Sequence, residues 1–425
     1  MKVLWVTNIM LPDIACELGL SHSVREGWLT GIFRTFTESG TDLSVAYPVM
    51  RDDIPEKIVV RGASCYSFRE DLKAPWKADP SLSGSLERIL SQVSPDLIHI
   101  FGTEFPHAAA AAEAYRNPGR TLIGLQGICS RIAEDYMALL PDRVVRGRTF
   151  RDILRKDSLM DQAAHFCLRA ENEKKALLAA GHVTGRTAFD REEALKVNPS
   201  LIYHPMNETL RPEFYEGIWN INNTHSHTIM AGQADLPLKG MHFLLEAASL
   251  LLPEYPDLKI VIAGNPVTGP GRSLTPCQTL KLSGYGKYLR DLITKCGLWD
   301  HIEIKGMLSS SGMKEEYLRS AVFVCPSYIE NSPNTLGEAM LLGMPVIASD
   351  AGGIPSMLGE KEGLLFPRGD VPALSNALAK LFDMEDNGNE ALFSLCENAR
   401  NRALRTHDPE ENRHRLLRIY HDMTG

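Results

Sequence analysis

The sequence predicts an α/β protein built from two doubly wound, Rossmann-like domains that face each other across a cleft. Short apolar runs typical of buried parallel strands alternate with helical segments in both halves of the chain. The chain has 425 residues, more than a single ordinary core holds, so about two domains are expected. Pro, Asn and Gly accumulate without an apolar period just after 205. This pattern predicts a hinge at 206–224 between a first domain at 1–205 and a second at 225–407.

The composition argues against several functional classes. The formal charge of −8 disfavours a nucleic-acid binder, because such proteins are more often basic. Eight cysteines occur without a Cys-x-x-Cys pair, which disfavours a zinc ribbon, a redox motif or a disulfide scaffold and fits a reducing compartment. The chain begins directly with a strand rather than an export signal, and no apolar stretch reaches the length of a membrane span. We therefore expect a cytoplasmic protein, with peripheral contact to the inner membrane left open.

The first domain follows the alternation expected of a parallel sheet. Strands are predicted at 1–7, 43–47, 97–101 and 121–125, and helices at 28–38, 107–115 and 168–180. His99 lies inside a strand and is predicted to be a core histidine, whereas His107 begins a helix beyond a strand's carboxyl end and is better placed to reach a ligand. Gln126 and Gly127 stand at the tip of another strand. Gly27, a lone glycine in the first long loop, fits either a turn or close backbone approach to a ligand.

Two further features precede the hinge. The segment 130–165 has no clear strand and carries an arginine cluster, which fits a solvated basic face or a surface for a phosphate-bearing or lipid-linked ligand. A short extended piece at 183–187 is predicted to point Arg186 outward.

The second domain repeats the alternation. Strands are predicted at 228–232, 259–263, 302–305, 322–326 and 345–349, and helices at 243–252, 288–296, 313–320, 371–381 and 410–420. The loop after its first strand contains Gln233 and Lys239. A cation in a loop at a strand's carboxyl end is a candidate for binding an anion.

The whole chain is organised around the loop and helix start after the strand at 322–326. The backbone amides of Asn334, Thr335 and Leu336 would lie at a helix N-terminus, which attracts anions. Thr335 and Glu338 have the spacing of a capping box, so a purely structural role is the alternative for Glu338. Glu330 is harder to explain structurally, because a carboxylate beside an anion site costs electrostatic energy unless it has a function.

The run from Glu330 to Glu338, continued by Gly343-Met344-Pro345 and Gly352-Gly353-Ile354-Pro355, resembles the donor-site signature of family 4 of the retaining glycosyltransferases, which have the GT-B fold. The resemblance implies that Glu330 lies near the transferred sugar, that Glu338 holds the nucleotide's ribose, and that the helix-start amides contact the diphosphate. It also implies an acceptor-side first domain, a donor-binding second domain and a final helix at 408–425 that can cross back to the first.

The same resemblance extends to the remaining candidates. Lys239 matches a family lysine that grips the diphosphate, but Gln233 occupies the position of its partner arginine, which weakens that grip. Gly27 matches the glycine-rich loop that faces the diphosphate, although only one glycine is present. Gln126 stands where many members carry a sugar-contacting histidine. Arg186 resembles a residue of bacterial transferases that build cell-surface polysaccharides.

Together these features predict a retaining glycosyltransferase of the hexosyltransferase type. Its donor would be a nucleotide-diphosphate sugar, and its acceptor a hydroxyl of a glycan or of a lipid-linked saccharide. No Asp-x-Asp triplet occurs, so we expect activity without a metal or other cofactor. The alternatives are a nucleotide-sugar epimerase of the same fold and a non-catalytic sugar-nucleotide-binding homologue.

Overall fold

The structure, a computed structural model, describes residues 1–21, 29–232, 234–388 and 390–425. These residues form two compact units. The first unit contains Met1–Ala133, His165–Arg211 and Thr406–Gly425, and the second contains Glu134–Ala164 and Pro212–Arg405.

Strands and helices alternate through most of the described chain. The strands are β1 (Lys2–Val6), β2 (Asp42–Val49), β3 (Lys57–Val60), β4 (Ala63–Arg69), β5 (Leu97–Phe101), β6 (Thr121–Gly124), β7 (His182–Gly185), β8 (Ile202–Pro205), β9 (His225–Gly232), β10 (Lys259–Ala263), β11 (Ile302–Gly306), β12 (Ser320–Cys325), β13 (Val346–Ser349) and β14 (Leu364–Phe366).

The α-helices lie between and after these strands. They are α1 (Pro12–Glu17), α2 (Thr30–Glu38), α3 (Leu82–Val93), α4 (Pro106–Tyr115), α5 (Cys129–Asp135), α6 (Asp142–Val145), α7 (Phe150–Arg155), α8 (Leu159–Ala179), α9 (Ala188–Val197), α10 (Met241–Leu251), α11 (Pro276–Leu280), α12 (Gly284–Lys295), α13 (Ser310–Arg319), α14 (Asn334–Leu342), α15 (Ile354–Met357), α16 (Val371–Asp386), α17 (Glu390–Thr406) and α18 (Pro409–Thr424).

The first unit is built on an eight-stranded sheet in the order β3-β4-β2-β1-β5-β6-β7-β8. Its strands are parallel except for the antiparallel pair β3 and β4. Successive side chains of β1 point to opposite faces, so Trp5 packs with α2 and α18 while Leu4 packs with α3 and α4. Tyr420 of α18 is fully buried, and its hydroxyl accepts a hydrogen bond from Trp5 Nε1 at 2.9 Å. Residues more than four hundred positions apart therefore share one core.

The second unit has a six-stranded parallel sheet in the order β11-β10-β9-β12-β13-β14. The strand order reverses between β9 and β12, which creates a topological switch point at their carboxyl ends. Ligands of doubly wound sheets bind at such a point. The predicted fold class, two Rossmann-like α/β domains, is confirmed.

The segment 134–164 packs with the second unit, whereas the predicted boundary at 205 placed it in the first domain. The reason is a set of polar contacts with α10 and α12. His242 Nε2 lies 2.9 Å from the carbonyl oxygen of Ala138, and the Gly284 amide donates to Asp152 Oδ2 at 2.9 Å. The chain also passes between the units at 211–212 and at 405–406.

Candidate functional site

An ion pair between Lys239 and Glu330 lies at the switch point of the second sheet. Lys239 Nζ contacts Glu330 Oε1, and the Ser327 hydroxyl donates to the same oxygen at 3.2 Å. Burial works to lower the pKa of Lys239, but the charge of Glu330 and its hydrogen bond outweigh burial and raise that pKa. Lys239 is therefore held as a cation beside the carboxylate, at the carboxyl ends of β9 and β12.

Two glycines allow the loops around this pair to touch. Gly240, at φ +71°, lies so close to the loop after β12 that a Cβ would stand 1.8 Å from the Pro326 carbonyl oxygen. Gly352, at φ +51°, lies equally close to Glu330, because a Cβ on Gly352 would stand 2.0 Å from the Glu330 carbonyl oxygen. The Gly353 amide donates to that oxygen at 3.0 Å. The backbone of Glu330 is thus fixed by direct contact that only glycine permits.

Helix α14 begins at Asn334 without a side-chain cap. Its N-cap residue is Pro333, so Thr335 and Glu338 do not form the capping box that was the structural alternative. Glu338 is buried, with 2% of its surface exposed. The amide of Leu336 donates to the Pro333 carbonyl at 3.1 Å. This amide, which was predicted to contact an anion, is therefore already hydrogen-bonded within the start of the helix. Asn334 and Thr335 occupy the first turn as expected.

Sequence reasoning missed Arg368, a cation that contacts Tyr328 in the loop after β12. Arg368 follows β14, and its Nη1 donates to the Tyr328 carbonyl at 3.0 Å and to Asp135 Oδ2 at 2.9 Å. The guanidinium also lies 4.5 Å from the centre of the Tyr328 ring. Burial opposes the charge on Arg368, but the hydrogen bond and charge of Asp135 outweigh it and raise the guanidinium pKa. The signal that could have found Arg368 is its position just after a short strand of the same sheet.

In the first unit, Gln126 and Arg186 meet at Glu208. Gln126 Nε2 donates to Glu208 Oε1 at 2.7 Å, and Arg186 Nη1 lies 3.1 Å from Glu208 Oε2. The prediction that Arg186 points outward is wrong, because the Glu208 carboxylate draws the guanidinium inward and leaves its side chain 8% exposed. Gly127 lies beside this group, and its amide donates to Glu104 Oε1 at 2.9 Å. The sequence analysis did not identify Glu208 as a site residue.

The expectation that His107 can reach a ligand is also wrong. Its side chain is fully buried, and its Nδ1 and backbone amide both bond to the carboxylate of Glu70, at 2.7 and 3.0 Å. The long-range partner was invisible in the sequence. His99 is buried in the core as predicted. Gly27 and Gln233 lie outside the described residues.

No helix in the described residues is both long enough and apolar enough to cross a bilayer.

Comparison with solved structures identifies the fold. The chain aligns over 100% of its length with 99% of sucrose-phosphate synthase from Thermosynechococcus elongatus, at a TM-score of 0.70 and 15% identity. It aligns over 99% of its length with 100% of HepE from Anabaena in complex with UDP-glucose, at a TM-score of 0.65 and 16% identity. The two units therefore have the GT-B fold of glycosyltransferases.

Within this fold, the second unit carries a recognisable domain. Residues 213–403 match the family model of glycosyl transferases group 1. A phosphatidyl-myo-inositol mannosyltransferase of Mycobacterium leprae is 30% identical over 195 residues, 45% of this chain and 45% of the relative. The lipopolysaccharide core mannosyltransferase LpsB of Rhizobium meliloti is 28% identical over 148 residues, 34% of this chain and 38% of the relative. The chain thus matches less than half the length of these curated relatives.

Proposed function

We propose that the protein is a retaining glycosyltransferase of family 4, of the type that builds bacterial cell-surface polysaccharides. It transfers a hexose from a nucleotide-diphosphate sugar to a hydroxyl of a glycan or lipid-linked saccharide, without a metal. The observation that carries the proposal is the Lys239–Glu330 pair at the switch point of the second sheet. The group 1 match and the likeness to relatives named as mannosyltransferases support it.

The donor would bind at the carboxyl ends of β9 and β12. Lys239 exchanges Glu330 for the donor diphosphate, whose negative charge also favours the N-terminus of α14. Glu338 holds the ribose hydroxyls, and Glu330 orients the hexose. Catalysis then consists of stabilising the leaving diphosphate and the oxocarbenium-like sugar.

The proposed transfer needs no added base. The bond between the anomeric carbon and the diphosphate oxygen breaks, and the acceptor oxygen bonds to the same face of that carbon. The acceptor proton passes to the departing diphosphate. Gln233 supplies no charge, so Lys239 provides most of the attraction for the diphosphate. Replacing Lys239 should therefore lower donor affinity markedly.

The first prediction concerns donor binding in the presence of a chelator. In a thermal-shift panel of UDP, GDP, ADP, CDP and their sugar conjugates, one nucleotide series should raise the unfolding midpoint. A ligand at a hundred times its dissociation constant adds about 2.7 kcal/mol of stability. Lys239→Ala should abolish most of that shift, whereas Lys305→Ala, which removes another paired lysine of the second unit, should preserve it.

A shift that needs manganese or magnesium would contradict metal independence. If no series shifts the midpoint, the donor site itself is refuted. Product analysis separates the transferase from an epimerase, because an epimerase converts the donor without any acceptor.

We also propose that the protein contacts the inner membrane surface through α7 and its flanks. Phe150, Ile153 and Leu154 of this helix are 61, 63 and 72% exposed. The segment 141–160 carries six basic residues, Arg143, Arg146, Arg148, Arg151, Arg155 and Lys156, against the acidic residues Asp142, Asp152 and Asp157. This local excess of positive charge, in a chain of net charge −8, complements an anionic phospholipid surface.

The second prediction is that the protein co-floats with phosphatidylglycerol vesicles and does so less at high salt. Replacing Phe150, Ile153 and Leu154 together by Ser should weaken binding at least tenfold, because each buried apolar side chain contributes roughly 1.5–3 kcal/mol. The double variant Leu178→Ser and Leu250→Ser removes exposed apolar groups elsewhere and should bind normally. Equal binding to neutral phosphatidylcholine vesicles would contradict the proposal.

A further inference from the structure

A pocket lies wholly within the first unit, where β5, β6 and β7 meet the chain around Glu208. Its apolar wall includes Leu29, Ile32 and Leu416. Its polar side includes Gln126, Arg186 and Glu208, together with Asn207 and Thr209. His99 and Gly124 also line it.

The hydrogen bonds behind His99 determine which of its nitrogens carries the proton. Tyr420's hydroxyl accepts from Trp5 Nε1 at 2.9 Å and lies 2.7 Å from His99 Nδ1. Trp5 Nε1–H can only donate, so Nδ1 is the one acceptor of these two partners, and we assign the Tyr420 proton to the bond with Nδ1. Burial lowers the pKa of His99 to about 3, which keeps the ring neutral. The ring proton therefore sits on Nε2.

His99 Nε2 is buried and has no hydrogen-bond partner within residues 1–21, 29–232, 234–388 and 390–425. A Cβ placed on Gly124 would stand 3.1 Å from this nitrogen and 3.4 Å from Thr184 Oγ1. The missing side chain of Gly124 thus leaves space beside Nε2. A buried donor without an acceptor is costly, so a ligand oxygen is a favourable occupant of that space.

The other polar groups restrict the charge of that ligand. Arg186 and Glu208 are paired at 3.1 Å, and His99 is neutral, so these groups have no net charge together. An anion would gain little here, whereas hydroxyl groups can both donate to Glu208 and accept from Gln126 or Arg186. The aliphatic side chains on the opposite wall suit the C–H face of a sugar ring.

We propose that this pocket binds one neutral saccharide unit of the acceptor, with a hydroxyl or amide oxygen of the sugar accepting from His99 Nε2–H. The hydroxyl of Tyr420, anchored by Trp5, acts as a positioning group that fixes the histidine tautomer. This inference rests on the proposed function, because it identifies the bound sugar as acceptor.

The test measures binding of methyl glycosides by saturation-transfer NMR, with methyl glucoside, mannoside, galactoside and N-acetylglucosaminide as probes. At least one should bind, and Gly124→Ala should weaken it at least tenfold by filling the space beside Nε2. Gly84→Ala, where a Cβ meets nothing within 4 Å, should leave affinity unchanged. Inorganic phosphate should not compete. Equal affinity in Gly124→Ala, or binding of phosphate in place of every glycoside, would overturn the proposal.

A second measurement reads the tautomer directly. In protein labelled with ¹⁵N-histidine, the His99 signals, assigned by their loss in His99→Gln, should report a protonated Nε2 and a bare Nδ1. Tyr420→Phe should disturb this pattern and weaken glycoside binding. Tyr47→Phe removes a buried hydroxyl of the same core that has no partner in the described part of the chain, and it should do neither. A proton on Nδ1 in the unaltered protein would refute the assigned relay. Both measurements are made without a nucleotide-sugar donor. If the protein proved not to transfer sugar, they would still show whether the pocket binds a glycoside and which nitrogen of His99 is protonated.

Discussion

Glu330→Gln is expected to lower the rate of sugar transfer by about 10²- to 10³-fold, the loss typical when one preorganised electrostatic group is removed from an active site. The substitution keeps the shape of the side chain and removes its charge. The Ser327 hydroxyl can still donate to the remaining carbonyl oxygen, so folding should be little affected. The measurement is turnover at saturating donor and acceptor, together with the thermal midpoint.

The change should also alter the pH dependence of donor binding. Without Glu330, the two largest causes that raise the Lys239 pKa are lost, and burial, opposed only by the smaller effects of Cys325 and Asp235, lowers that pKa. Donor affinity should then be lost at a lower alkaline pH than in the unaltered protein. Glu316→Gln is a matched control, because Glu316 pairs with Lys305 in the same unit at 3.1 Å and lies outside the proposed site. Unchanged turnover in Glu330→Gln would contradict the catalytic role assigned to Glu330.

Gly352→Ala is expected to destabilise the second unit by several kcal/mol and to abolish donor binding. A left-handed backbone at a non-glycine residue costs about 1–2 kcal/mol, and here the new Cβ would also overlap the Glu330 carbonyl oxygen at 2.0 Å. The loop must shift, and Glu330 shifts with it. Thermal unfolding and the donor-induced midpoint shift together measure the effect.

Gly297→Ala isolates the conformational part of this cost. Gly297 has φ +69° in the same unit, and a Cβ there meets nothing within 4 Å. Gly297→Ala should lower the free energy of unfolding by about 1–2 kcal/mol and retain donor binding. If Gly352→Ala loses no more than Gly297→Ala, the close contact does not hold the Glu330 loop.

The sequence was sufficient for the parts of the fold that depend on local pattern. Buried runs such as 97–101 and 259–263 became strands with those bounds, because a strand covered on both faces is apolar throughout. The antiparallel strand β3 and the short strand β14 were not predicted. They are only four and three residues long, and each has partly exposed residues, so neither carries a strong signal.

Long-range contacts explain the remaining differences. The segment 134–164 has little apolar pattern of its own, and contacts such as that of Ala138 with His242 decide where it packs. The same is true of Arg186 and His107, whose carboxylate partners lie 22 and 37 positions away. Lys239 and Glu330 were identified because a recognisable local motif surrounds each, although their contact joins positions 91 residues apart.

The discontinuous first unit has a consequence for synthesis of the chain. Trp5 and Phe36 emerge early from the ribosome, yet Tyr420 of α18, which packs against both, is made only after every residue of the second unit. The second unit can therefore complete its core while the first still exposes an aromatic surface. During translation, the core of the first unit cannot be completed until α18 has been synthesised. In this interval the nascent chain is most exposed to chaperones and to aggregation.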